Sequence, residues 1–182
     1  MSRKYKITDQ DKLYFVTFTV VKWVDIFTRQ CYRELVLESL RFCQRKKGLE
    51  VYAWVIMSNH LHLILGTHDR PLEGIIRDFK SFTSTHIKKM LQEIKFESRK
   101  KWLVPIFEEA GKQNTNNNEW QLWQQHNHPL ELRSNLMTER VLDYIHFNPV
   151  KAGLVAEPHF WQYSSAIDYC GGKGLLDICF IE

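Results

Sequence analysis

His60 and His62 are the residues of this 182-residue chain with the plainest capacity for chemistry. They stand two apart in Met57-Ser-Asn-His-Leu-His-Leu-Ile-Leu65, a β-prone, mostly apolar run. On a strand, residues two apart share a face, so both imidazoles would project together while Leu61 points the other way. Two neutral imidazoles side by side can hold one divalent ion and leave coordination positions open for a substrate oxygen. The same spacing equally fits two partly buried strand histidines satisfied by hydrogen bonds. The triplet alone leaves both readings open.

A second group lies in Asp143-Tyr-Ile-His-Phe-Asn-Pro-Val-Lys-Ala-Gly-Leu-Val155. Tyr144 and Asn148 are four apart and on a helix would share a face. A tyrosine hydroxyl is a nucleophile, and an asparagine carbonyl is a hard-metal ligand. Pro149 disfavours helical geometry at Asn148, which weakens the pairing. The plainer alternative is a core tyrosine followed by a capping asparagine.

These residues need a frame to hold them. Leu13–Val21 is β-branched and aromatic and reads as a strand. Cys31–Lys47 reads as an amphipathic helix stopped by Gly48. Val51–Met57 and His60–Leu65, joined by Ser58-Asn59, read as a hairpin. Pro71 suits the first turn of a second helix running to about Ile94. A charged stretch follows at Glu97–Lys101, then a polar, turn-forming loop at Gly111–Glu119. Trp120–Gln125 reads as a fourth strand. A last helix is expected from an N-cap at Thr138 to about Phe147, stopped by Pro149. This order predicts an α+β, ferredoxin-like antiparallel sheet with helices on one face. One domain is expected over residues 1–182, with a core at about 10–156 and a C-terminal tail at about 157–182.

Composition narrows the function classes. No apolar run approaches the roughly 20 residues needed to span a membrane. Cys31, Cys43, Cys170 and Cys179 form no Cys-x-x-Cys pair, which argues against a zinc ribbon and for reduced thiols in the cytoplasm. A net charge of +4 permits a nucleic-acid partner without demanding one. Arg77, Lys80, Lys88 and Lys89, then Lys95, Arg99, Lys100 and Lys101, could track phosphates or simply form a solvated face. His126-Asn127-His128 is followed at once by Pro129 and reads as loop. His146, two residues from Tyr144, belongs to a different helix face.

The Met57–Leu65 and Tyr144–Val155 motifs together resemble the REP-associated tyrosine transposases, in the single-tyrosine branch of the HUH (His-hydrophobic-His) endonucleases. Phe79-Lys-Ser81, Leu122-Trp-Gln124 and Trp161-Gln-Tyr-Ser-Ser165 extend the resemblance over roughly residues 10–170. It implies a ferredoxin-like fold, Tyr144 as nucleophile, and His60, His62 and Asn148 as metal ligands, with Mg or Mn as the divalent ion. Residue types alone do not exclude Zn. The implied substrate is single-stranded DNA beside imperfect hairpins, with Arg77 and Lys80 as DNA contacts. The implied reaction cleaves and rejoins a strand through a 5′-phosphotyrosine. A non-catalytic hairpin-binding module of the same fold is the alternative. Relatives in the wider branch include dimers in which a tyrosine helix serves the partner's site, so a homodimer is one of two arrangements the resemblance allows.

Overall fold

Leu61, Leu63 and Leu65 alternate with His60, His62 and Ile64, and the two sets enter opposite faces of one sheet. The computed structural model of the chain describes residues 7–94, 97–114 and 119–181. In chain order it holds β1 (Tyr14–Thr19), α1 (Gln30–Lys47), β2 (Leu49–Ile56), β3 (His60–Thr67), α2 (Leu72–Glu93), α3 (Lys100–Lys112), β4 (Leu130–Glu131), α4 (Asn135–Lys151) and α5 (Ala166–Tyr169). The strand order is β2-β3-β1-β4, and every pairing is antiparallel. That is the ferredoxin-like α+β arrangement expected from the sequence.

The main core lies on the face where Val16, Phe18, Trp54, Ile56, Leu61 and Leu63 meet apolar side chains of α1, α2 and α3. Val36, Leu37 and Leu40 of α1 and Ile75, Phe79 and Ile87 of α2 repeat at helical spacing, as a one-sided apolar stripe requires. α1 ends where Gly48 takes a left-handed φ of 70° and donates its N–H to the Cys43 carbonyl. A Cβ there would meet the Asp69 Cβ at 2.5 Å. The one-face expectation describes α1 to α3. α4 instead lies across the other face, where Ile145 joins Ala53, Val55, Ile64 and Leu132 in a smaller core.

Three expectations differ from the structure. α3 covers residues 102–110, to which the sequence reading assigns no element, and overlaps the ends of the charged stretch and the polar loop; Leu103, Phe107 and Ala110 have helical spacing, but Pro105 interrupts the pattern. Residues 115–118 of that expected loop, and Lys95 of the basic run, lie outside the described residues. The expected strand at Trp120–Gln125 is an irregular edge beside β1. Val21 donates to the Leu122 carbonyl, Gln124 donates to the Thr19 carbonyl, and pairing resumes only at β4. α4 is capped by Ser134, which accepts from the Met137 N–H, and it runs through buried Pro149 to Lys151. Asn148 therefore keeps helical geometry.

A buried carboxylate ties the helices to the strand ends. Glu97 accepts from Tyr32 Oη at 3.0 Å and from Arg99 Nε and Nη2, each at 3.0 Å, and Arg29 Nε lies 2.9 Å away. Arg99 also donates to the Asp25 carbonyl at 2.9 Å and to Thr28 Oγ1 at 2.7 Å. Burial alone would raise the Glu97 pKa. The donors from Arg99 and Tyr32 outweigh it and hold the carboxyl at about 2, below its ordinary 4.5. Because the folded value is depressed, the stabilisation is complete above about pH 4.5 and is lost as pH falls toward 2. Glu97→Gln leaves two guanidinium groups facing a neutral partner and should cost roughly 3 kcal/mol, or roughly 6 to 12 °C in Tm. Melting curves at several pH values check this: the gap between wild type and variant should be constant above pH 5 and narrow below pH 4.

Candidate active site

β3 positions both histidines. Its pairing with β1 sets Thr17 opposite His62 and Thr19 opposite His60, all on the α4 side of the sheet. The two imidazole centroids are 4.6 Å apart. α4 crosses above them, and the Tyr144 hydroxyl lies 3.2 Å from His62 Nε2. Asn148, one turn further along, reaches the His60 ring. The sequence-selected His60, His62, Tyr144 and Asn148 thus converge from two elements more than 80 residues apart in the chain.

The outer bonds of the histidines fix which nitrogens face the centre. Asn59 Nδ2 donates to the Trp23 carbonyl at 3.3 Å and to Asp25 Oδ1 at 3.0 Å, which sets the amide orientation. Its Oδ1 then accepts from His60 Nδ1 at 2.7 Å. His60 therefore carries its proton on Nδ1, and Nε2 keeps a lone pair. His62 Nδ1 lies 2.8 Å from Thr17 Oγ1. Either tautomer of His62 satisfies both of its contacts. The form with Nδ1–H donating to Thr17 leaves Nε2 to accept from the Tyr144 hydroxyl.

Electrostatics keep both rings neutral. Burial pushes the His62 pKa down to about 3, and the neighbouring His60 adds to the effect. Burial also lowers His60, against opposing contributions from Asn148 and Asp25. Neutral imidazoles have no proton to lose before binding a cation. A base this weak cannot usefully deprotonate a phenol whose ordinary pKa is about 10. Phe15 stacks on His62 with centroids 5.4 Å apart and meets the Tyr144 ring edge-on at 6.0 Å. His62 is only 5% exposed, but the group above it, Tyr144, is 42% exposed.

The donor set fits a hard divalent ion. Two neighbouring imidazoles and the Asn148 side chain come together here, and both Nδ1 atoms are held by second partners. Among the described residues no group of three or more His, Cys, Asp or Glu side chains is placed to hold a metal ion. The set here is two imidazoles and an amide.

Two other tyrosines, Tyr163 and Tyr169, are committed elsewhere. Tyr163 is buried, and its hydroxyl donates to Glu34. Tyr169 donates to the Tyr52 carbonyl. Burial raises the pKa of both. His146 is buried, with Nε2 2.9 Å from Ser165 Oγ, so it anchors α4 to the tail instead of facing the site.

Arg77 and Lys80 stand apart from this centre, on α2. They line a groove of about 1270 Å³ between α2 and residues 120–129. Arg77 is exposed and bonds to Asp78. Lys80 donates to the Gln124 carbonyl and to Asn127 Oδ1, and burial lowers its pKa to about 8. Asn127 also accepts the Thr17 N–H, so the groove wall is joined to the strand that floors the histidine site.

Sequence reasoning missed Thr17, Asn59 and Lys151. Asn59 reads as a turn residue, although its place beside His60 was a usable signal. Thr17 faces His62 only through strand register. Lys151, seven residues after Tyr144, sets its ammonium 5.7 Å from the phenol centroid.

Comparison with known proteins bears on the fold and the family. Among curated proteins none matches the chain. A solved structure of a REP-associated tyrosine transposase bound to a REP hairpin superposes with a TM-score of 0.63 at 19% identity, covering 100% of this chain and 96% of that one. At that identity the likeness is one of fold. The family model for IS200-like transposases matches residues 11–107, more than half of the chain, taking in His60 and His62 and ending before Tyr144. On that match, the chain belongs to the IS200-like transposase family.

Proposed function

We propose that this chain cleaves and rejoins single-stranded DNA beside hairpins, with Tyr144 as the nucleophile. The observation that carries this reading is the Tyr144 hydroxyl at 3.2 Å from His62 Nε2, with the His60 ring and Asn148 alongside. The hairpin bound by the similar transposase supports the substrate class.

His60, His62 and Asn148 are the proposed ligands of Mg or Mn, since imidazole and carbonyl donors with open positions suit these ions. A divalent ion so held supplies positive charge against a non-bridging phosphate oxygen. The protein does the rest. The Tyr144 oxygen, carried on α4, is the proposed in-line attacker, and Lys151 sets positive charge over its ring. The new bond joins the Tyr144 oxygen to phosphorus and the P–O3′ bond breaks. The phenol loses one proton and the 3′ oxygen gains one. The 5′-phosphotyrosine keeps the phosphodiester's energy, so rejoining needs no ATP. Arg77 and Lys80 are the proposed DNA contacts in the α2 groove. Arg77 offers an exposed guanidinium, whereas Lys80 meets a phosphate only by exchanging its bonds to Gln124 and Asn127. Among the described residues no helix is long and apolar enough to cross a membrane, and the cytoplasm is the proposed location.

Three outcomes are expected. Tyr144→Phe keeps the ring packing against Phe15 and His62, so hairpin binding should stay within about twofold of wild type while cleavage and covalent adduct disappear; denaturing gels of labelled DNA check this. Persistence of adduct in that variant would overturn the assignment. His60→Ala and His62→Ala should each weaken Mn binding at least tenfold by titration calorimetry and abolish metal-dependent cleavage, with Tm little changed for the half-buried His60. Finally, cleavage should occur on hairpins with an unpaired tail and not on fully paired DNA, and binding should weaken steadily as salt rises. Equal cutting of both forms would contradict a single-strand site.

A further inference from the structure

Between β1 and α1 the backbone does something costly. Lys22 and Trp23 both adopt left-handed φ, 55° and 54°, although neither is glycine or asparagine. Such conformations persist only where surrounding contacts impose them. The contacts here are specific. Trp23 N–H donates to the Val20 carbonyl at 3.1 Å, and Asn59 Nδ2 donates to the Trp23 carbonyl at 3.3 Å. Val21, Val24 and Ile26 are buried on either side and pin the turn.

The strain does not serve the core, because the indole it displays is 61% exposed. It stands edge-on to His60, with ring centroids 5.9 Å apart. The exposed Lys22 precedes it. The same Asn59 amide holds the Trp23 carbonyl, the Asp25 carboxylate and His60 Nδ1. The Trp23 backbone is therefore tied to His60 by a single side chain. A solvent-facing aromatic plane on a held backbone turn, with a cation beside it, matches an unpaired nucleotide: the base stacks on the ring and the phosphate meets the lysine.

We infer that Trp23 is the stacking platform for one unpaired base next to the phosphate attacked at the His60–His62 centre, with Lys22 meeting that nucleotide's backbone. This rests on the reading that single-stranded DNA crosses that centre. It adds a base-binding position that sets where along an unpaired tail the strand is held.

The test uses full-length protein carrying Tyr144→Phe, so that cleavage does not complicate binding. The probes are fluorescent hairpin oligonucleotides with a single-stranded tail, taken from DNA around the protein's own gene, each with one abasic site moved along the tail. With Trp23 present, an abasic site at one tail position should weaken binding roughly tenfold. Trp23→Ala should lose roughly tenfold on intact DNA and then be indifferent to that abasic site. Trp23→Phe should restore most of the affinity. 5-Iodouracil at the sensitive position should photocrosslink to the peptide containing Trp23. Binding by Trp23→Ala within twofold of the parent would overturn the proposal. So would an equal loss at every tail position in Trp23→Ala and Trp23→Phe alike, which would mark a purely structural turn; melting temperatures of both variants accompany the measurement. If Tyr144→Phe still cleaved, the nucleophile assignment would fail while the position-specific abasic effect could stand. Loss of the abasic effect with intact Tyr144 chemistry would sink this inference alone.

Discussion

The two-residue period of β3 is the constraint on which the rest depends. One strand must fill a core with Leu61, Leu63 and Leu65 and present His60 and His62 on the reverse side. A slip of one residue in its pairing with β1 would exchange the two sets, burying imidazoles among aliphatic side chains and exposing leucines. The large core under α1 and α2 therefore fixes register as well as stability. The smaller core under α4 is thin, and the site occupies the space it leaves.

Around that strand, polar groups orient the rings before any substrate arrives. Asp25 and the Trp23 carbonyl hold Asn59, and Asn59 holds His60; Thr17 holds His62. Arg99 bonds the Asp25 carbonyl and reaches Glu97, so the support continues into a buried ionic cluster between α1 and α3. Each link is a hydrogen bond between groups of limited freedom, which lowers the ordering still to be done when a ligand binds. Burial keeps the His62 ring neutral, with one nitrogen lone pair unprotonated.

Local patterns were legible and long-range ones were not. The β2–β3 hairpin, α1 with its Gly48 stop and α2 behind Pro71 follow from periodicity and turn chemistry within a few residues. α3 was obscured by Pro105, and the broken edge at residues 120–131 has no repeating period to detect. Pro149 reads as a stop, yet its burial and the resumed bonds from Ala152 and Leu154 carry α4 past it. Of the candidate site, spacing and family resemblance single out His60, His62, Tyr144 and Asn148, which the fold brings together. Thr17 could not be, because nothing in a sequence states which residue of β1 lies across from His62. Nor does periodicity say that α4 takes the face opposite the other helices.

The tail carries a consequence for assembly. Ile56 donates its N–H to the Tyr163 carbonyl, Ser165 donates to the Trp54 carbonyl, and Cys179 donates to the Val51 carbonyl, so residues after α4 run along the outer side of β2. The longest exposed border of the sheet is thereby sealed, and the opposite border is the two-residue β4. Among the described residues, sheet-to-sheet continuation between copies, the common route by which bare strands recruit one another, finds no long bare strand as template. The anchor between His146 and Ser165 binds α4, and Tyr144 with it, to its own chain's border strip.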